Sequence, residues 1–321
     1  MKIVDLNETH LEEACKLFAS SYECQRKLTP ILDESNGRAD KIIPMLKECI
    51  DKYPGVAIVD KGKLTGYMSG MFLQGVLGVH KGAFVPEWAH ASVKDGAFDI
   101  YRRLYQAIGQ SWVAEGCLTH GIQFLSCADA AQDAFCWNGF GRTCIDAMRR
   151  VEPIYTKASD GIRIGCITEK DLLLWLPQVD GHYRHLTKAP VFNPYLESVT
   201  SDELGSMLKQ PGNFAWMAWY GKEAVGYMKV APIEEGAAWI VNGKRKIAVN
   251  GAYVKPEYRG KGIAKMLLST IMTCIQDEGF ERCSVDFEAT NLEACQFWLK
   301  YFQPVCKSMV RRLNESILKS I

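Results

Sequence analysis

The sequence predicts an α/β protein of two similar domains, each with strands and helices arranged around a mixed, mostly antiparallel sheet. Length, composition and an internal repeat predict this fold. The chain has 321 residues, more than one hydrophobic core usually organises. Apolar residues make up 48% and charged residues 23%, the balance of an ordinary globular protein. We therefore expect two domains of about 150 residues each.

The internal repeat opens with a short strand, a turn and an amphipathic helix. KIVDLNETHLEEACKL from Lys2 has this order, and IRIGCITEKDLLLWL from Ile162 repeats it. In each copy an Asn or Thr with Glu close behind supplies the chemistry that starts a helix. Two strands joined by a tight Gly-Lys turn come next, in VAIVDKGKLTGYMSGMF from Val56 and in FAWMAWYGKEAVGYMKV from Phe214.

The two copies continue through a strand, a helix and a further strand. GAFVPEWAH from Gly82 parallels GAYVKPEYRG from Gly251, and a helical pattern, Glu-Gly and a strand follow in both. Polar and Gly residues interrupt the periodic pattern in TKASDGIR, residues 156–163. The boundary is therefore expected near residue 158, which gives domains 1–157 and 158–321.

Charge and hydropathy bear on partners and location. The net charge is +1 and the basic residues are spread along the chain, so no nucleic-acid partner is expected. The amino terminus lacks the basic start and apolar core of a signal peptide, and no apolar run approaches about 18 residues. We expect a cytoplasmic protein that does not bind a membrane.

The cysteine and histidine patterns predict no disulfide framework and no metal site. The 12 cysteines stand singly in apolar stretches without C-x-x-C spacing, which is typical of small buried hydrophobic residues. His182 and His185 are three residues apart in GHYRH, but no Cys or acidic pattern completes a zinc site.

The segment with the strongest chemical signal begins at Asn250. NGAYV reads as an apolar strand, KPEYRGKGIA as a loop, and KMLLSTIMTCIQDEG as a helix. Pro256 ends the strand, and glycines 260 and 262 allow a tight turn into the helix. The unpaired N–H groups of the helix start, with Arg259 and Lys261 nearby, make a site for a phosphate or pyrophosphate. The motif is neither a Walker loop nor a G-x-G-x-x-G fingerprint.

This motif, V-x-P-x-x-R-G-x-G-I-A before an amphipathic helix, resembles the acetyl-CoA signature of the GNAT superfamily of N-acetyltransferases. The resemblance continues through the strand CSVDFEATN to an N-x-x-A-x-x-F-W segment and covers residues 162–313, with a weaker likeness in the first repeat. It implies two tandem GNAT-like domains and acetyl-CoA as co-substrate. The resemblance further implies that the pantetheine arm of acetyl-CoA would lie on Ala252, Tyr253 and Val254. Its pyrophosphate would contact Arg259, Gly260, Lys261, Gly262, Ile263 and Ala264, with Asn291 and Phe297 on the other side.

The resemblance also implies direct attack of an amine on the acetyl thioester, with the N–H of Val254 polarising the carbonyl. In many relatives a Tyr protonates the leaving thiolate, but Trp298 stands at that position, and an indole is no acid. Tyr301, one helical turn later, is the next candidate. Glu288 is the candidate that orients the amine or a water.

Other residues stay open as alternatives for these roles. Asp286 shares a strand face with Glu288 and could take the same role. Glu234 and Glu235 are competing candidates for the base, although such a loop pair is more often a pair of solvated surface carboxylates. Water is a further option. The polar, proline-interrupted stretch HYRHLTKAPVFNPYLES is expected to be a loop over the acceptor side. Four aromatic residues are candidates for an acceptor site but are more typical of a core: Trp216, Trp219, Tyr220 and Trp239.

The first repeat has VPEWAHASVKDGAFDIYRRL where the phosphate motif should fall, so residues 1–157 are predicted to be a degenerate copy. Gly96 before a helix is the one alternative anion site there. The leading functional hypothesis is an acetyl-CoA-dependent N-acetyltransferase acting on a small-molecule amine. A non-catalytic acetyl-CoA sensor and a protein lysine or amino-terminal acetyltransferase are the alternatives, and a homodimer stays open.

Overall fold

In the computed structural model, which describes residues 1–75, 78–157, 160–233 and 237–319, the two halves of the chain share one order of elements, except that three strands of the first half stand in the place of one strand of the second. The first half contains β1 (Lys2–Asp5), α1 (Leu11–Leu28), α2 (Ala39–Lys52), β2 (Gly55–Asp60), β3 (Lys63–Ser69), β4 (Met71–Leu73), β5 (Gly82–Val85), β6 (His90–Ser92), α3 (Ala97–Ala114), β7 (Thr119–Leu125), α4 (Asp129–Trp137) and β8 (Gly141–Arg150). The second half contains β9 (Ile162–Cys166), α5 (Leu172–Leu186), α6 (Ser201–Leu208), β10 (Phe214–Tyr220), β11 (Glu223–Ala231), β12 (Lys246–Val254), α7 (Ile263–Asp277), β13 (Arg282–Glu288), α8 (Leu292–Trp298) and β14 (Gln303–Arg312).

After β1 and after β9, a helical turn begins with the predicted capping chemistry, but the side chain that pairs with the cap residue is not the predicted one. Asn7 and Thr168 each head a reciprocal capping box that begins a short 3-10 turn. The side chains that reach back are His10 and Asp171, and not the glutamates close behind the cap. Geometry explains the difference, because only the third residue after the cap can reach the cap's own N–H group.

The described residues group into two compact units. Unit 1 comprises Met1–Asp146, Ala238–Ile240 and Pro304–Ile321, and unit 2 comprises Ala147–Ala237 and Val241–Gln303. These units differ from the contiguous ranges 1–157 and 158–321, because strand pairing places almost all of β14 in unit 1. The predicted boundary residue, Ala158, lies outside the described residues.

Unit 1 contains two groups of strands. One is an antiparallel sheet in the order β1-β2-β3-β6. The other has the order β4-β5-β7-β14 followed by the first six residues of β8; β5 and β7 are parallel, and β14 runs antiparallel to β7 from Cys306↔Leu125 to Arg312↔Thr119. The first unit therefore has the predicted mixed, mostly antiparallel character.

Unit 2 is built on five strands in the order β9-β10-β11-β12-β13, antiparallel except for the last pair. The helix α7 connects the parallel strands β12 and β13, as a parallel crossover requires. On one face a buried cluster joins α5 and α6 to the sheet through Trp175, Leu204, Met217 and Tyr227. This arrangement confirms the α/β fold class and gives unit 2 its own core.

All 12 cysteines are free thiols, but fewer are buried than the sequence predicts. Five are buried, and Cys136 and Cys166 are exposed. Within the part of the chain that the structure describes, no helix combines the length and apolar character needed to cross a bilayer.

Two buried carboxyl groups of unit 1 hold the backbone of residues 238–240. Glu87 Oε1 accepts a hydrogen bond from the Ile240 N–H at 2.9 Å, and Asp146 Oδ1 accepts one from the Ala238 N–H at 3.2 Å. Burial raises the pKa of Glu87 to about 7, although hydrogen bonds from backbone N–H groups, that of Ile240 first, act in the opposite direction; the nearby Asp146 charge adds a smaller increase. The Glu87 carboxyl is therefore protonated in the folded protein under conditions where an unfolded chain has released that proton.

Glu87→Gln should remove one component of the pH dependence of stability. From about pH 4.5 to 7 the folded state retains a proton that the unfolded state has lost, so rising pH destabilises the wild type, by about 3 kcal/mol at most. Glutamine cannot ionise, so we expect the variant to gain stability relative to the wild type between pH 5 and 8 in urea unfolding. The exposed Glu12→Gln serves as the control.

The buried histidines of unit 1 do not disturb this comparison. Burial lowers the pKa of both His90 and His120 to about 4, so their contribution to stability rises between pH 4 and 6.5, with the opposite sign to Glu87. Their effect is common to both proteins and cancels in the difference. A difference that stays constant with pH would show that Glu87 is ionised in the folded state.

Candidate functional site

A cavity of about 1130 Å³ opens within unit 2 among α5, α6, β11–β13, α7 and α8. Nearly all of the predicted site residues line it, and Lys261 is the exception. The predicted residues on its wall are Ala252, Tyr253, Val254, Arg259, Gly260, Gly262, Ile263, Ala264, Glu288, Asn291, Phe297 and Tyr301.

Strand β12 has an open edge in this cavity. Its parallel pairing with β13 runs from Lys246↔Arg282 to Val249↔Val285 and goes no further, while β12 itself continues to Val254 against β11. A bulge marks the point of separation, because the register with β11 shifts between Val249 and Ala252. Gly251 in the bulge has φ +131°, a backbone conformation that favours glycine.

The register also determines where the polar groups of this edge point. Lys255 donates its N–H to the Val225 carbonyl at 2.9 Å, and bonded pairs alternate along an antiparallel ladder. The backbone N–H and carbonyl of Tyr253, opposite Tyr227, are therefore the groups that bond to β11. The N–H and carbonyl groups of Ala252 and Val254 point away from β11, towards the open edge.

The start of α7 presents further backbone donors. Gly260 and Gly262 have φ +76° and +78°, and Gly262 is the N-cap residue, which has no side chain to accept from the first turn. The first-turn residues Ile263, Ala264 and Lys265 line the cavity. The positive end of a 15-residue helix therefore faces this space.

The two predicted cations near α7 differ in position. The Arg259 guanidinium lies over the Tyr253 ring at 5.8 Å, donates to the Val254 carbonyl at 3.0 Å and pairs with Glu293. Lys261 Nζ instead lies 4.9 Å from the centre of the Tyr258 ring and does not line the cavity. An anion at the start of α7 would thus compete with Glu293 for Arg259.

Helix α8 contributes a cap and an aromatic group. Asn291 Oδ1 accepts the Ala294 N–H at 3.1 Å, so this side chain caps α8 while it borders the cavity. Phe297 and Tyr301 are in contact, with ring centroids 5.2 Å apart, and Trp298 is buried. Tyr301 therefore lies on the cavity wall beside the position that Trp298 occupies in the sequence motif.

The candidate bases on β13 also reach the cavity. Asp286 and Glu288 both line it, as their alternation along the strand predicts. Glu288 Oε1 accepts a hydrogen bond from Asn193 Nδ2 at 2.7 Å. The competing Glu234 and Glu235 lie outside the described residues.

The stretch from His182 was predicted to be a loop, and this is wrong for its first five residues. Residues 182–186 form the last part of α5, because the apolar residues Val179 and Leu186 with His182 and Tyr183 keep helical spacing. Pro190 comes only after the helix has ended. The rest of the stretch has no helix or strand, and its last two residues, Glu197 and Ser198, line the cavity on the side of α5 and α6.

The structure adds His182 as a polar residue of this wall that the prediction did not use. Its Nδ1 lies 2.9 Å from the hydroxyl of the buried Tyr227. The helical spacing of Val179, His182 and Leu186 was the signal that could have placed it on the same face as core residues.

The four aromatic residues proposed for either an acceptor site or a core do not border the cavity. Trp216 and Trp219 are buried in the sheet, and Tyr220 is 51% exposed. In unit 1, Gly96 caps α3 in the same conformation as Gly262, but Asp99 occupies the first turn of α3. Among the described residues no three His, Cys, Asp or Glu side chains group as metal ligands.

Residues 182–302 match the family model described as the acetyltransferase (GNAT) family. The chain is 33% identical over 93 residues to the uncharacterized N-acetyltransferase YjgM of Escherichia coli, covering 29% of this chain and 52% of that protein. It is 25% identical over 104 residues to N-acetyltransferase 8B of Rattus norvegicus, covering 32% and 45%. The chain thus spans about half the length of the curated relatives it matches.

A solved structure extends the likeness to both halves of the chain. A GCN5-related N-acetyltransferase from Sphaerobacter thermophilus superposes with a TM-score of 0.58 over 97% of this chain and 95% of that chain, at 13% sequence identity. At this level of sequence identity, the similarity shows only that the two folds are alike. It confirms the predicted fold class of two tandem GNAT-like domains.

Proposed function

We propose that this chain, whose residues 182–302 belong to the GNAT acetyltransferase family, transfers the acetyl group of acetyl-CoA to the amine of a small molecule by direct attack. One observation carries the proposal. The open edge of β12, ending at Val254, and the uncapped start of α7, at Gly262, face the same cavity.

The residues around this cavity fit the chemistry of acetyl-CoA. The pantetheine arm carries amide groups, which can pair with the outward N–H and carbonyl groups of Ala252 as an added strand would. The pyrophosphate is an anion, which the free N–H groups of Ile263 and Ala264 and the dipole of α7 favour. Arg259 supplies formal charge once it exchanges Glu293 for phosphate.

The reaction then needs few groups from the protein. The nitrogen lone pair of the amine attacks the thioester carbon, the C–N bond forms, and the C–S bond breaks with its electrons moving to sulfur. The Val254 N–H stabilises the negative charge that develops on the carbonyl oxygen. Tyr301 is the group proposed to give a proton to the thiolate, and Glu288 is proposed to orient the amine or a water that takes its proton.

The shape of the cavity favours a small acceptor. Its volume of about 1130 Å³, which acetyl-CoA would share with the acceptor, lies just above the usual range of about 300–1,000 Å³ for small-molecule sites. Beyond the β12 edge its wall consists of α5, α6 and residues 197–199, and includes the apolar Trp175, Val179 and Met207. An amine with an apolar body fits this wall.

Calorimetric titration of acetyl-CoA, followed by measurement of thiol release with a panel of amines, tests the proposal. We expect saturable binding of acetyl-CoA and amine-dependent thiol release. Binding without release from any small amine or lysine peptide would identify a non-catalytic acetyl-CoA binder. Thiol release with a lysine peptide and with no small amine would show that the acceptor is a protein and not a small molecule. The absence of acetyl-CoA binding would contradict the proposal.

A further inference from the structure

We propose that His182 determines acceptor specificity by donating a hydrogen bond from its Nε2–H to a carboxylate, so that the preferred acceptors are amino acids or other amines bearing a carboxylate. This inference rests on the proposed function and names the substrate class of the same site. It assigns His182 a positioning role and no proton transfer.

The His182 ring is held in place on two sides. Its Nδ1 lies 2.9 Å from the Tyr227 hydroxyl, and its ring stacks on that of Tyr253 with centroids 6.1 Å apart and planes inclined by 26°. Tyr253 precedes Val254 at the open edge of β12. His182 therefore borders the cavity close to the proposed thioester site, in a fixed orientation.

The contact with Tyr227 selects one tautomer of the imidazole. Tyr227 is 1% exposed, and within the described residues His182 Nδ1 is the hydrogen-bonding partner of its hydroxyl. An unmade bond from a buried hydroxyl costs about 1–3 kcal/mol, so the hydroxyl donates to Nδ1. In a neutral imidazole the proton then resides on Nε2, which is a donor and cannot accept a proton from an amine.

The imidazole is neutral and its surroundings are positive. Burial lowers the pKa of His182 to about 4, and the charges of His185, Lys229 and Arg259 act in the same direction. Burial opposes a charge of either sign, but the positive charges of Lys229 and Arg259 favour an anionic oxygen near this ring. Of the possible hydrogen-bond acceptors on a substrate, a carboxylate suits a fixed N–H donor in such a potential best.

Two acidic side chains of the cavity, Glu203 and Glu293, are engaged with other groups. Glu203 accepts from both the N–H and the hydroxyl of Thr200, at 2.7 and 2.9 Å. Glu293 pairs with Arg259, and its Oε2 also lies 3.5 Å from His185 Nε2. Arg259 thus offsets the negative charge of Glu293, and the two bonds from Thr200 hold the Glu203 carboxylate.

Kinetics with phenylalanine and phenethylamine, which differ by one carboxylate, test the inference. A hydrogen bond to a charged group contributes about 1.5–3 kcal/mol, so the wild type should favour phenylalanine at least about tenfold in kcat/KM. His182→Asn keeps an acceptor for the Tyr227 hydroxyl but removes the Nε2–H donor. The preference should fall to near one, mainly through a higher KM for phenylalanine, because any loss that both amines share cancels in the ratio.

A spectroscopic measurement decides the tautomer without turnover. In ¹⁵N-histidine-labelled protein, the signal absent from His182→Asn should show protonated Nε2 and unprotonated Nδ1 down to pH 5. Adding phenylalanine to the acetyl-CoA complex should shift this signal, and phenethylamine should not. Tyr227→Phe should release the tautomer preference.

The outcomes separate this inference from the proposed function. An equal loss of kcat with both amines would make His182 a base, and a proton on Nδ1 would remove the donor; either result overturns the inference. Failure of every amine to release thiol would overturn the proposed function instead. In that case the response of the His182 signal to phenylalanine decides whether the carboxylate site exists.

Discussion

Gly262→Asp should weaken acetyl-CoA binding by at least about 100-fold and leave the protein folded. The substitution places a carboxylate at the start of α7, where the pyrophosphate is proposed to lie. Two like charges 4 Å apart at a protein surface repel by about 4 kcal/mol, and two-thirds of that already corresponds to 100-fold in affinity. The new carboxylate would also take the first-turn N–H groups for itself.

The fold should tolerate this change because the position is open. Apart from the residues next to it in the chain, no described residue places an atom within 4 Å of a Cβ built on Gly262, so the main cost is the φ of +78°, about 1 kcal/mol for a residue such as Asp. Titration calorimetry measures the affinity, and urea unfolding measures the stability.

Gly279→Asp is the matched control at the other end of the same helix. Gly279 has φ +85°, and a Cβ there likewise meets no atom of the described residues within 4 Å, its chain neighbours aside. We expect a similar loss of stability, with a small addition from the negative end of the helix dipole, and unchanged affinity. Equal losses of affinity in both variants would assign the effect to helix stability, and no loss in either would place the pyrophosphate elsewhere.

The parts of the fold and site that could be predicted depend on local signals. Pro256, Gly260 and Gly262 have positions dictated by backbone conformation, so the strand, turn and helix around them follow from sequence alone. The repeat of strand and helix periods predicted the paired architecture in the same way, and two-residue turns positioned the hairpins.

Long-range pairing and side-chain direction could not be predicted. Nothing local in Gln303–Arg312 indicates that this strand pairs with Thr119–Leu125, because strand pairing is determined by tertiary contacts. Lys261 was predicted to face the phosphate because of its charge, but its side chain lies over Tyr258. His182 became visible as a cavity residue only once α5 and β11 were packed together, since Tyr227 is 45 residues away in sequence.

Val254→Pro should lower kcat for acetyl transfer by about 100- to 1000-fold, the usual effect of removing one donor to a developing oxyanion. Proline has no N–H group, and the register shows that the Val254 N–H points away from β11. The ladder bond that follows, from the Lys255 N–H to the Val225 carbonyl, does not involve it. Proline is compatible with a strand edge of this kind, so the unit should fold.

Val254→Ala separates the backbone from the side chain at this position. It removes two methyl groups and keeps the N–H, so we expect kcat within a few-fold of the wild type, while both variants retain acetyl-CoA binding through Ala252 and α7. Thermal unfolding of both proteins checks that the β11–β12 ladder is intact. An unchanged kcat in Val254→Pro would mean that another group is the oxyanion donor. An equal loss of kcat in Val254→Ala and Val254→Pro would mean that the side chain, and not the N–H, is responsible for the effect. Since the N–H acts on the charge that develops during reaction, its loss should appear in kcat, with affinity for acetyl-CoA changed far less.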